Sequence, residues 1–227
     1  MGLDGYTEDD MMVDNYVEAK LHSDLIIYLF RDHYQNLTVK TGLMMEWTLN
    51  RCPSSKFLFK TDDDVLVNPW MLRRIVKEKA ESALIGYVKS NNHLHRGTHS
   101  KWHIPEWLLQ DDFVPQYLSG TGYLVNVKYI RLILQAAYTV PMINLEDVYF
   151  TYLVANKTLG LKLTHDYKLS PYKPWLSFGC FYWWLASIHS LKPTEIRRWG
   201  SFIIKIGENE NNKYCESYEN YSELWLY

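Results

Sequence analysis

Three consecutive aspartates, Asp62, Asp63 and Asp64, are the side chains in this sequence best suited to chemistry. They come directly after the apolar run FLFKT, at the end of a predicted strand, where α/β sheets bind their ligands. Carboxylates in this place suit a hard divalent cation, Mg²⁺ or Mn²⁺, which would hold phosphates and relieve the mutual repulsion of the aspartates. The alternative is a solvated acidic turn that caps the next helix.

A second acidic pair and two glycines are further candidates. Glu146 and Asp147 begin an apolar helical pattern, where carboxylates stabilise the helix dipole or serve as a general base held at a helix terminus. Gly120 and Gly122 flank one threonine before Tyr123, and glycine permits the close approach of a backbone to a ligand. An ordinary turn from a loop into a strand is the alternative for this GxG sequence.

The histidines give a weaker indication of chemistry. Four of them crowd one polar stretch without the spacing of a zinc site, which favours a solvated loop. These four are His93, His95, His99 and His103. His189 follows an aromatic run, and it is either a core imidazole or a ligand.

The overall composition is that of a globular protein with one domain, or at most two small ones. Of the 227 residues, 47% are hydrophobic and 22% are charged, which excludes a disordered or collagen-like chain. The net charge of −2 creates no field for nucleic acid, so we expect no nucleic-acid partner. Aromatic residues make up 15%, and their flat faces suit either a core or a platform for sugar rings.

The N-terminal residues and the cysteines exclude further classes of protein. The first residues lack the basic and apolar regions of a signal peptide, and no apolar run approaches the roughly 18 residues of a membrane span. The cysteines Cys52, Cys180 and Cys215 are too widely spaced for a zinc ribbon or a CxxC redox site. They leave room for one disulfide and one free thiol, and the pairing stays open.

Strands alternate with helices along the chain, which predicts an α/β fold with a mixed, mostly parallel central sheet. Predicted strands cover residues 24–30, 56–60, 83–88, 123–127 and 161–164, and predicted helices begin near residues 36, 69, 129 and 145. Residues 89–115 are polar and are predicted to form a long loop.

Five motifs, in one order, resemble the β-1,3-galactosyltransferase (Galactosyl_T) family, which is glycosyltransferase family thirty-one. They are DLIIYLFRDHYQNLTVKT at 24–41, WTLNRCPSSKFLFKTDDDVLVN at 47–68, the segment 101–126 with YLSGTGY, EDVY at 146–149, and HSLKPTEIRRW at 189–199. The resemblance covers about residues 24–199, and five ordered motifs are far more specific than any one of them.

The resemblance implies a GT-A fold, a single α/β domain in which a Rossmann-like nucleotide half merges into an acceptor half. It implies an inverting transfer of galactose, or of an N-acetylhexosamine, from a UDP-sugar to a hydroxyl of a glycan in β-1,3 linkage. The implied cofactor is Mn²⁺ or Mg²⁺. On the same basis residues 24–200 are the catalytic domain, residues 1–23 a poorly matched N-terminal segment, and residues 201–227 a C-terminal extension.

The resemblance also assigns roles to single residues. Asp147 matches the general base of the family, with Glu146 beside it, and the expected metal ligands are Asp62, Asp64 and His189. The residues expected to bind the nucleotide-sugar are Asp32, Asn36, Lys40, Lys60, Asp62 and Asp63. The residues expected to line the donor and acceptor sugar region are Trp102, Gly120, Gly122 and Tyr123.

The implied setting is protein glycosylation on the lumenal side of the Golgi membrane, through an anchor that this sequence does not contain. A homodimer or a hetero-oligomer with other transferases is the implied assembly. Two departures stand against these matches. Nothing before residue 24 matches the family's first strand, which contacts the uridine, and two family cysteines are Leu118 and Leu153 here. The alternative is therefore a catalytically inactive relative that binds glycans or a partner transferase.

Overall fold

The computed structural model describes residues 9–208 and 212–221, and short strands alternate with helices throughout. The strands of these residues are β1 (Phe57–Thr61), β2 (Leu66–Val67), β3 (Leu84–His93), β4 (Phe113–Asn126), β5 (Leu163–His165), β6 (Leu169–Ser170) and β7 (Ser187–Ile188). The α-helices are α1 (Asp9–His22), α2 (Leu37–Arg51), α3 (Pro69–Glu78), α4 (Val127–Ala137), α5 (Gly179–Trp183) and α6 (Pro193–Gly207). A π-helix covers Val148–Thr158, and 3-10 helices cover Tyr34–Asn36 and Asn212–Tyr221.

The central sheet has four strands in the order β1-β4-β3-β5. The α/β fold and the mixed sheet are confirmed, but the pairings in this sheet are mostly antiparallel rather than parallel. Strand β4 is antiparallel to both β1 and β3, whereas β3 is parallel to β5. Strands β3 and β4 form one long hairpin, and strands joined in this way run antiparallel. The alternation of strands and helices along the chain does not reveal such a hairpin.

A second, smaller sheet follows the acidic loop. It has the order β2-β7-β6, with β2 antiparallel to β7 and β6 parallel to it. Its register places Leu66 opposite Ile188. The sheet therefore brings the segment just after the acidic loop next to the segment just before His189.

Local sequence signals set several of the helix ends as predicted. The Asn68 side chain accepts hydrogen bonds from the N–H groups of Trp70 and Met71 at 3.1 and 3.3 Å, and Pro69 occupies the first turn of α3. This arrangement satisfies N–H groups that have no partner within the helix. The π-helix is followed by Gly160, whose φ of +65° belongs to the left-handed region that favours glycine.

Alternate residues of β4 divide the core between the two faces of the central sheet. Tyr123 and Val125 belong to the apolar cluster that includes α2, α4 and the π-helix, whereas Leu124 belongs to the cluster of α3, α5 and α6. Much of the aromatic excess lies in the second cluster, where Tyr182 stacks on Trp199 with ring centroids 4.4 Å apart. These rings therefore serve the core rather than a sugar platform.

The prediction of a buried strand at residues 24–30 is wrong. The segment contains a single bridge residue, Tyr28, and no strand. The side chains of Ile26 and Leu29 are 38% and 90% exposed. An apolar run is buried as a strand only where neighbouring strands complete its backbone hydrogen bonds, and the two described sheets have no strand beside this segment.

The prediction of a loop over residues 89–115 is correct only for its middle. Strand β3 continues to His93 and β4 begins at Phe113, so the loop proper covers residues 94–112. Arg96 holds this loop in shape, because its guanidinium donates to the carbonyl groups of Ile104, Leu109 and Asp111 at 2.8, 2.9 and 2.6 Å. The polar strand residues before the loop lack the apolar alternation by which strands are predicted.

The cysteine pairing that the sequence left open is Cys180 with Cys215, and Cys52 is a free thiol. Both bonded cysteines are fully buried, and they join α5 to the C-terminal 3-10 helix. The indole N–H of Trp184 donates to the carbonyl of Cys215 at 2.7 Å. The bond therefore ties the predicted C-terminal extension to the core of the predicted catalytic domain.

Within residues 9–208 and 212–221, none of the helices has both the length and the apolar character needed to cross a membrane. Residues 1–8 of the predicted N-terminal segment lie outside the described residues. So do residues 209–211 and 222–227 of the predicted C-terminal extension.

Candidate active site

The candidate site forms where the end of β1 meets the middle of β4. Lys60 lies opposite Tyr123, and Thr61 lies opposite Gly122. The Thr61 hydroxyl donates to the carbonyl of Thr121 at 2.9 Å. This pairing sets the acidic loop beside the GxG segment of β4, and the acidic pair that precedes the π-helix packs against the same segment.

Lys60 lies at the centre of a buried hydrogen-bond network and is 6% exposed. Its Nζ donates to Asp62 Oδ1 at 2.7 Å and to the carbonyl of Gly120 at 2.6 Å, and it lies 2.8 Å from Glu146 Oε1. Burial lowers the pKa of Lys60, but the negative charges of Glu146 and Asp62 outweigh burial and raise this pKa above its usual value. Lys60 is therefore a fixed positive charge between two carboxylates.

Glu146 is 4% exposed, and both of its oxygens are engaged inside the protein. Oε2 accepts a hydrogen bond from the Tyr123 hydroxyl at 2.6 Å, while Oε1 faces Lys60. Burial raises the pKa of Glu146, the positive charge of Lys60 opposes this effect, and the resulting pKa is about 7. Burial also raises the pKa of Tyr123 well above its usual value, so the phenol keeps its proton and donates a hydrogen bond to Glu146.

Asp147 lies directly before the π-helix, and its carboxylate accepts hydrogen bonds from two backbone N–H groups. Its Oδ1 accepts from Val148 at 2.8 Å, and its Oδ2 accepts from Gly120 at 3.1 Å. Burial raises the pKa of Asp147, and the two N–H groups oppose this shift. A carboxylate held in one orientation with a raised pKa has the properties of a general base. The carboxylates of Asp62, Glu146 and Asp147 together are called the acidic centre below.

The predicted metal ligands come together only in part. His189 Nε2 lies 3.4 Å from Asp64 Oδ2, because the second sheet pairs the segments that carry them. Asp62, the third predicted ligand, is bound to Lys60, and Asp63 is exposed in the same loop. Across the described ranges 9–208 and 212–221, no three His, Cys, Asp or Glu side chains are grouped closely enough to hold a metal ion.

The chemistry of the two assembled side chains nevertheless fits a divalent cation. The Ser190 hydroxyl lies 2.8 Å from His189 Nδ1, and such a partner orients the ring and leaves Nε2 available as a ligand. The side chains of Asp64 and His189 are 61% and 31% exposed, so a cation can reach both. Carboxylate oxygen is the ligand that Mn²⁺ and Mg²⁺ prefer, and imidazole adds a neutral nitrogen.

Three residues predicted to bind the nucleotide-sugar gather around the start of α2. Lys40 Nζ lies 3.2 Å from Asp32 Oδ2, and both side chains are partly exposed. The Asn36 amide donates to the carbonyl of Arg31 at 2.9 Å. The motif D-x-x-x-N-x-x-x-K therefore folds into one polar cluster at this helix terminus.

Trp102 belongs to an aromatic cluster of which the sequence predicted only this one member. Lys101 Nζ lies 4.8 Å from the Trp102 ring centroid and 5.2 Å from that of Tyr34, and the ring of His95 lies 5.1 Å from Trp102. Burial raises the pKa of Tyr34, a hydrogen bond with Trp102 opposes this, and the charges of the acidic centre add to the increase. Tyr34 therefore lies close to the candidate site, although it was not among the predicted site residues. Its position in the same motif as Asp32 is the signal that could have identified it.

A second pair missed from the sequence lies on the long hairpin. The Asn92 amide donates to the Tyr117 hydroxyl at 2.8 Å. Burial raises the pKa of Tyr117 to about 12, and the negative charge of Asp147 adds to this effect. Asn92 lies in the stretch predicted to be a loop, whereas Tyr117 begins the YLSGTGY segment that follows it. No pattern in the sequence indicated that the two residues pair near Asp147.

Comparison with known proteins assigns the chain to a family. The sequence profile described as Galactosyltransferase matches residues 1–166. Beta-1,3-galactosyltransferase 1 of Homo sapiens is 30% identical over 187 residues, which cover 80% of this chain and 56% of the relative. Beta-1,3-galactosyltransferase 5 of Mus musculus is 30% identical over 183 residues, which cover 79% and 59%. This chain therefore spans little more than half the length of these relatives.

Among solved structures, a glycosyltransferase involved in the glycosylation of the major capsid of PBCV-1 covers 89% of this chain. Its identity is 12% and its TM-score is 0.39, a similarity too low to support a conclusion about the fold. The assignment therefore depends on the sequence profile, which spans well over half of the chain. By these criteria the chain belongs to the galactosyltransferase family.

Proposed function

We propose that this chain is an inverting hexosyltransferase. It transfers galactose, or an N-acetylhexosamine, from a UDP-sugar to a hydroxyl of a glycan acceptor in β-1,3 linkage, in protein glycosylation. The observation that carries this proposal is Asp147, a carboxylate held by two backbone N–H groups beside an acidic loop, in a chain of the galactosyltransferase family. The matching relatives are themselves named beta-1,3-galactosyltransferases.

The proposed chemistry is a single displacement. Asp147 accepts the proton of the acceptor hydroxyl, and the oxygen of that hydroxyl attacks the anomeric carbon from the face opposite the diphosphate. The new bond joins the acceptor oxygen to the anomeric carbon, and the bond between that carbon and the diphosphate oxygen breaks. UDP leaves with the electron pair of the broken bond. One carboxylate is sufficient for this sequence, and no covalent intermediate with the protein is required.

The proposed cofactor is Mn²⁺, with Mg²⁺ as the alternative. Asp64 and His189 would hold it, together with Asp62. A divalent cation bound there neutralises the charge that develops on the leaving diphosphate. Asp63 and the polar cluster of Asp32, Asn36 and Lys40 form the proposed nucleotide side of the site.

The proposed sugar region lies on the hairpin side of the acidic centre. Trp102 is an aromatic residue that is 43% exposed, whereas Gly120 and Gly122 border this region along β4 and are closely faced by side chains of the protein itself. Aromatic faces of this kind bind the apolar faces of sugar rings.

The proposed setting is the lumenal side of the Golgi membrane. The proposed acceptor is a glycan on a glycoprotein or glycolipid, and the proposed assembly is a homodimer or a hetero-oligomer.

A catalytically inactive relative, which binds glycans or a partner transferase, is the second candidate. One observation favours it. The segment 24–30, which resembles a strand of the family, forms no strand here, and its Leu29 is 90% exposed. A nucleotide half without that strand would bind a donor less firmly.

Two measurements separate the candidates. A UDP-sugar hydrolysis and transfer assay with Mn²⁺ should release UDP, and Asp147→Ala should abolish this release while UDP binding remains. UDP at a hundred times its Kd, with Mn²⁺, should stabilise the fold by about 2.7 kcal/mol, which raises Tm by roughly 5–10 °C for a chain of this size. If UDP and Mn²⁺ leave Tm unchanged, the transferase proposal is wrong. If they raise Tm but no acceptor supports turnover, the inactive relative is favoured.

A further inference from the structure

We propose that the buried pair of Lys60 and Glu146 is a positioning device. It fixes the carboxylate of Asp62 on one side and the turn that carries Asp147 on the other, so that the metal loop and the general base share one rigid support. This inference rests on the proposed function. It changes the predicted role of Lys60 from contact with the nucleotide to positioning, and that of Glu146 from catalysis to positioning.

The hydrogen bonds of Lys60 support this change of role. An ammonium group has three protons to donate. In Lys60 the three acceptors are Asp62 Oδ1, the carbonyl of Gly120 and Glu146 Oε1, at 2.7, 2.6 and 2.8 Å. No proton is left for a phosphate oxygen in this arrangement, and the side chain is only 7% exposed. Lys60 therefore contacts other parts of the site rather than a ligand.

Glu146 is equally enclosed. One oxygen faces Lys60 and the other accepts from the Tyr123 hydroxyl at 2.6 Å, and its side chain is 5% exposed. An acceptor hydroxyl would have to displace one of these partners to reach it. The neighbouring Asp147 is less buried than Glu146. Proton transfer is therefore assigned to Asp147, and positioning to Glu146.

The contact with Lys60 fixes the orientation of the Asp62 carboxylate without burying it. One of its oxygens is fixed by Lys60, yet its side chain is 41% exposed, so the carboxylate remains open to a cation while it is held in one orientation. Lys60 belongs to β1, Gly120 to β4, and Glu146 to the helical residues directly before the π-helix. A single ammonium thus joins three elements that are separated in sequence. Loss of a partner that orients a metal ligand typically lowers metal affinity by about 10- to 100-fold.

The competing explanation is that the pair only stabilises the fold. Removal of Lys60 alone would leave an unpaired buried carboxylate and destabilise the protein, so a single variant cannot separate the two explanations. The double variant Lys60→Met with Glu146→Gln removes both charges, and glutamine can still accept the hydrogen bond of Tyr123. Its Tm should lie close to that of the wild type.

The decisive measurement is calorimetric titration of UDP in the presence of Mn²⁺. If the pair positions Asp62, the double variant should bind UDP at least about tenfold more weakly than the wild type, as is typical when a partner of a metal ligand is lost. Lys60→Arg keeps the charge, but its planar fork cannot aim its donors at the same three acceptors, so it too should bind UDP more weakly. Wild-type affinity in either variant would overturn the proposal.

Lys79→Met is the matched control. Lys79 Nζ lies 2.7 Å from Asp166, which is 4% exposed, and donates to the carbonyl of His165 at 2.9 Å. It is therefore a second partly buried lysine, paired with a buried carboxylate outside the site. Its loss should lower Tm and leave UDP affinity within about twofold of the wild type, since the fold is weakened but the site is unchanged. If the wild type itself binds no UDP, the proposed function is wrong, and this inference, which rests on it, is wrong as well.

Discussion

The backbone N–H of Gly120 donates to Asp147 Oδ2 at 3.1 Å, and a Cβ at Gly120 would stand only 3.1 Å from that same oxygen and from Glu146 Oε1. The missing side chain is thus what allows strand β4 to approach both carboxylates. The first glycine of the GxG sequence is needed for the geometry of the protein itself, whether or not a ligand also passes along it.

Replacement of this glycine should separate activity from folding. In Gly120→Ala the new methyl group displaces the Asp147 carboxylate from its N–H partner, so UDP release should fall by at least about tenfold, since small misplacements of a catalytic group cost that much. Tm should fall by only a few degrees. Gly200→Ala is the control, because its Cβ would meet Leu66 at an ordinary 3.7 Å and alanine favours a helix. Full activity in Gly120→Ala would contradict the assigned role of Asp147.

The stability of the protein should depend on pH through Glu146. Its pKa is about 7 in the folded protein against an ordinary 4.5, so the folded state holds this proton more firmly than the unfolded state. The associated stability is complete below pH 4.5 and is lost as the pH rises through about 7. The free energy of unfolding of Glu146→Gln, relative to the wild type, should therefore increase by about 3 kcal/mol between these limits.

Urea unfolding at a series of pH values measures this difference. Glu106→Gln is the control, because Glu106 is an exposed carboxylate in the long loop. Its difference from the wild type should stay small at every pH. A constant difference for Glu146→Gln as well would show that the buried pair remains ionised throughout the range.

Loss of the proposed metal ligand His189 should raise the Mn²⁺ concentration that the UDP-bound protein requires. In His189→Ala the imidazole that faces Asp64 is removed, so the Mn²⁺ concentration required for half of the UDP-induced Tm increase should rise by at least about tenfold. His99→Ala removes an exposed histidine of the long loop and should leave the midpoint unchanged. An unchanged midpoint in His189→Ala would exclude His189 from the metal site.

The disulfide predicts both a thiol count and a stability loss. The protein unfolded without reductant should react with a thiol reagent at one cysteine, Cys52, and at all three after reduction. The bond closes a loop with a sequence separation of 35, and the chain-entropy relation gives it about 4 kcal/mol. Cys180→Ser with Cys215→Ser should therefore lower the midpoint of urea unfolding. Three reactive thiols before reduction would show that the bond does not form.

Local signals were sufficient to predict much of the fold. Asn68 and Pro69 mark the start of α3, and Gly160 marks the end of the π-helix, because each acts through its own backbone and nearest neighbours. Burial of residues 24–30 could not be predicted in this way. It depends on which strands lie beside the segment, and that is a property of distant parts of the chain. The same reason explains why the antiparallel hairpin of β3 and β4 was missed.

The sequence predicted which residues belong to the candidate site, but it did not predict the separate role of each residue. Motif order brought Asp62, Lys60, Glu146 and Asp147 to notice. Glu146 and Asp147 are adjacent and chemically alike, so only their surroundings distinguish them: Glu146 faces an ammonium and a phenol, whereas Asp147 faces two backbone N–H groups. The contact between Lys60 and Glu146 joins residues far apart in the sequence and leaves no pattern along it.

The guanidinium of Arg96 has a consequence for how this protein can change over evolutionary time. All three of its acceptors in the long loop are backbone carbonyl groups, and every amino acid supplies the same carbonyl group. The side chains at those positions can therefore vary while the path of the loop is kept. Substitutions in a loop with a constant path can therefore change what the loop contacts without a change in the scaffold, and functional differences between related proteins commonly arise in such loops.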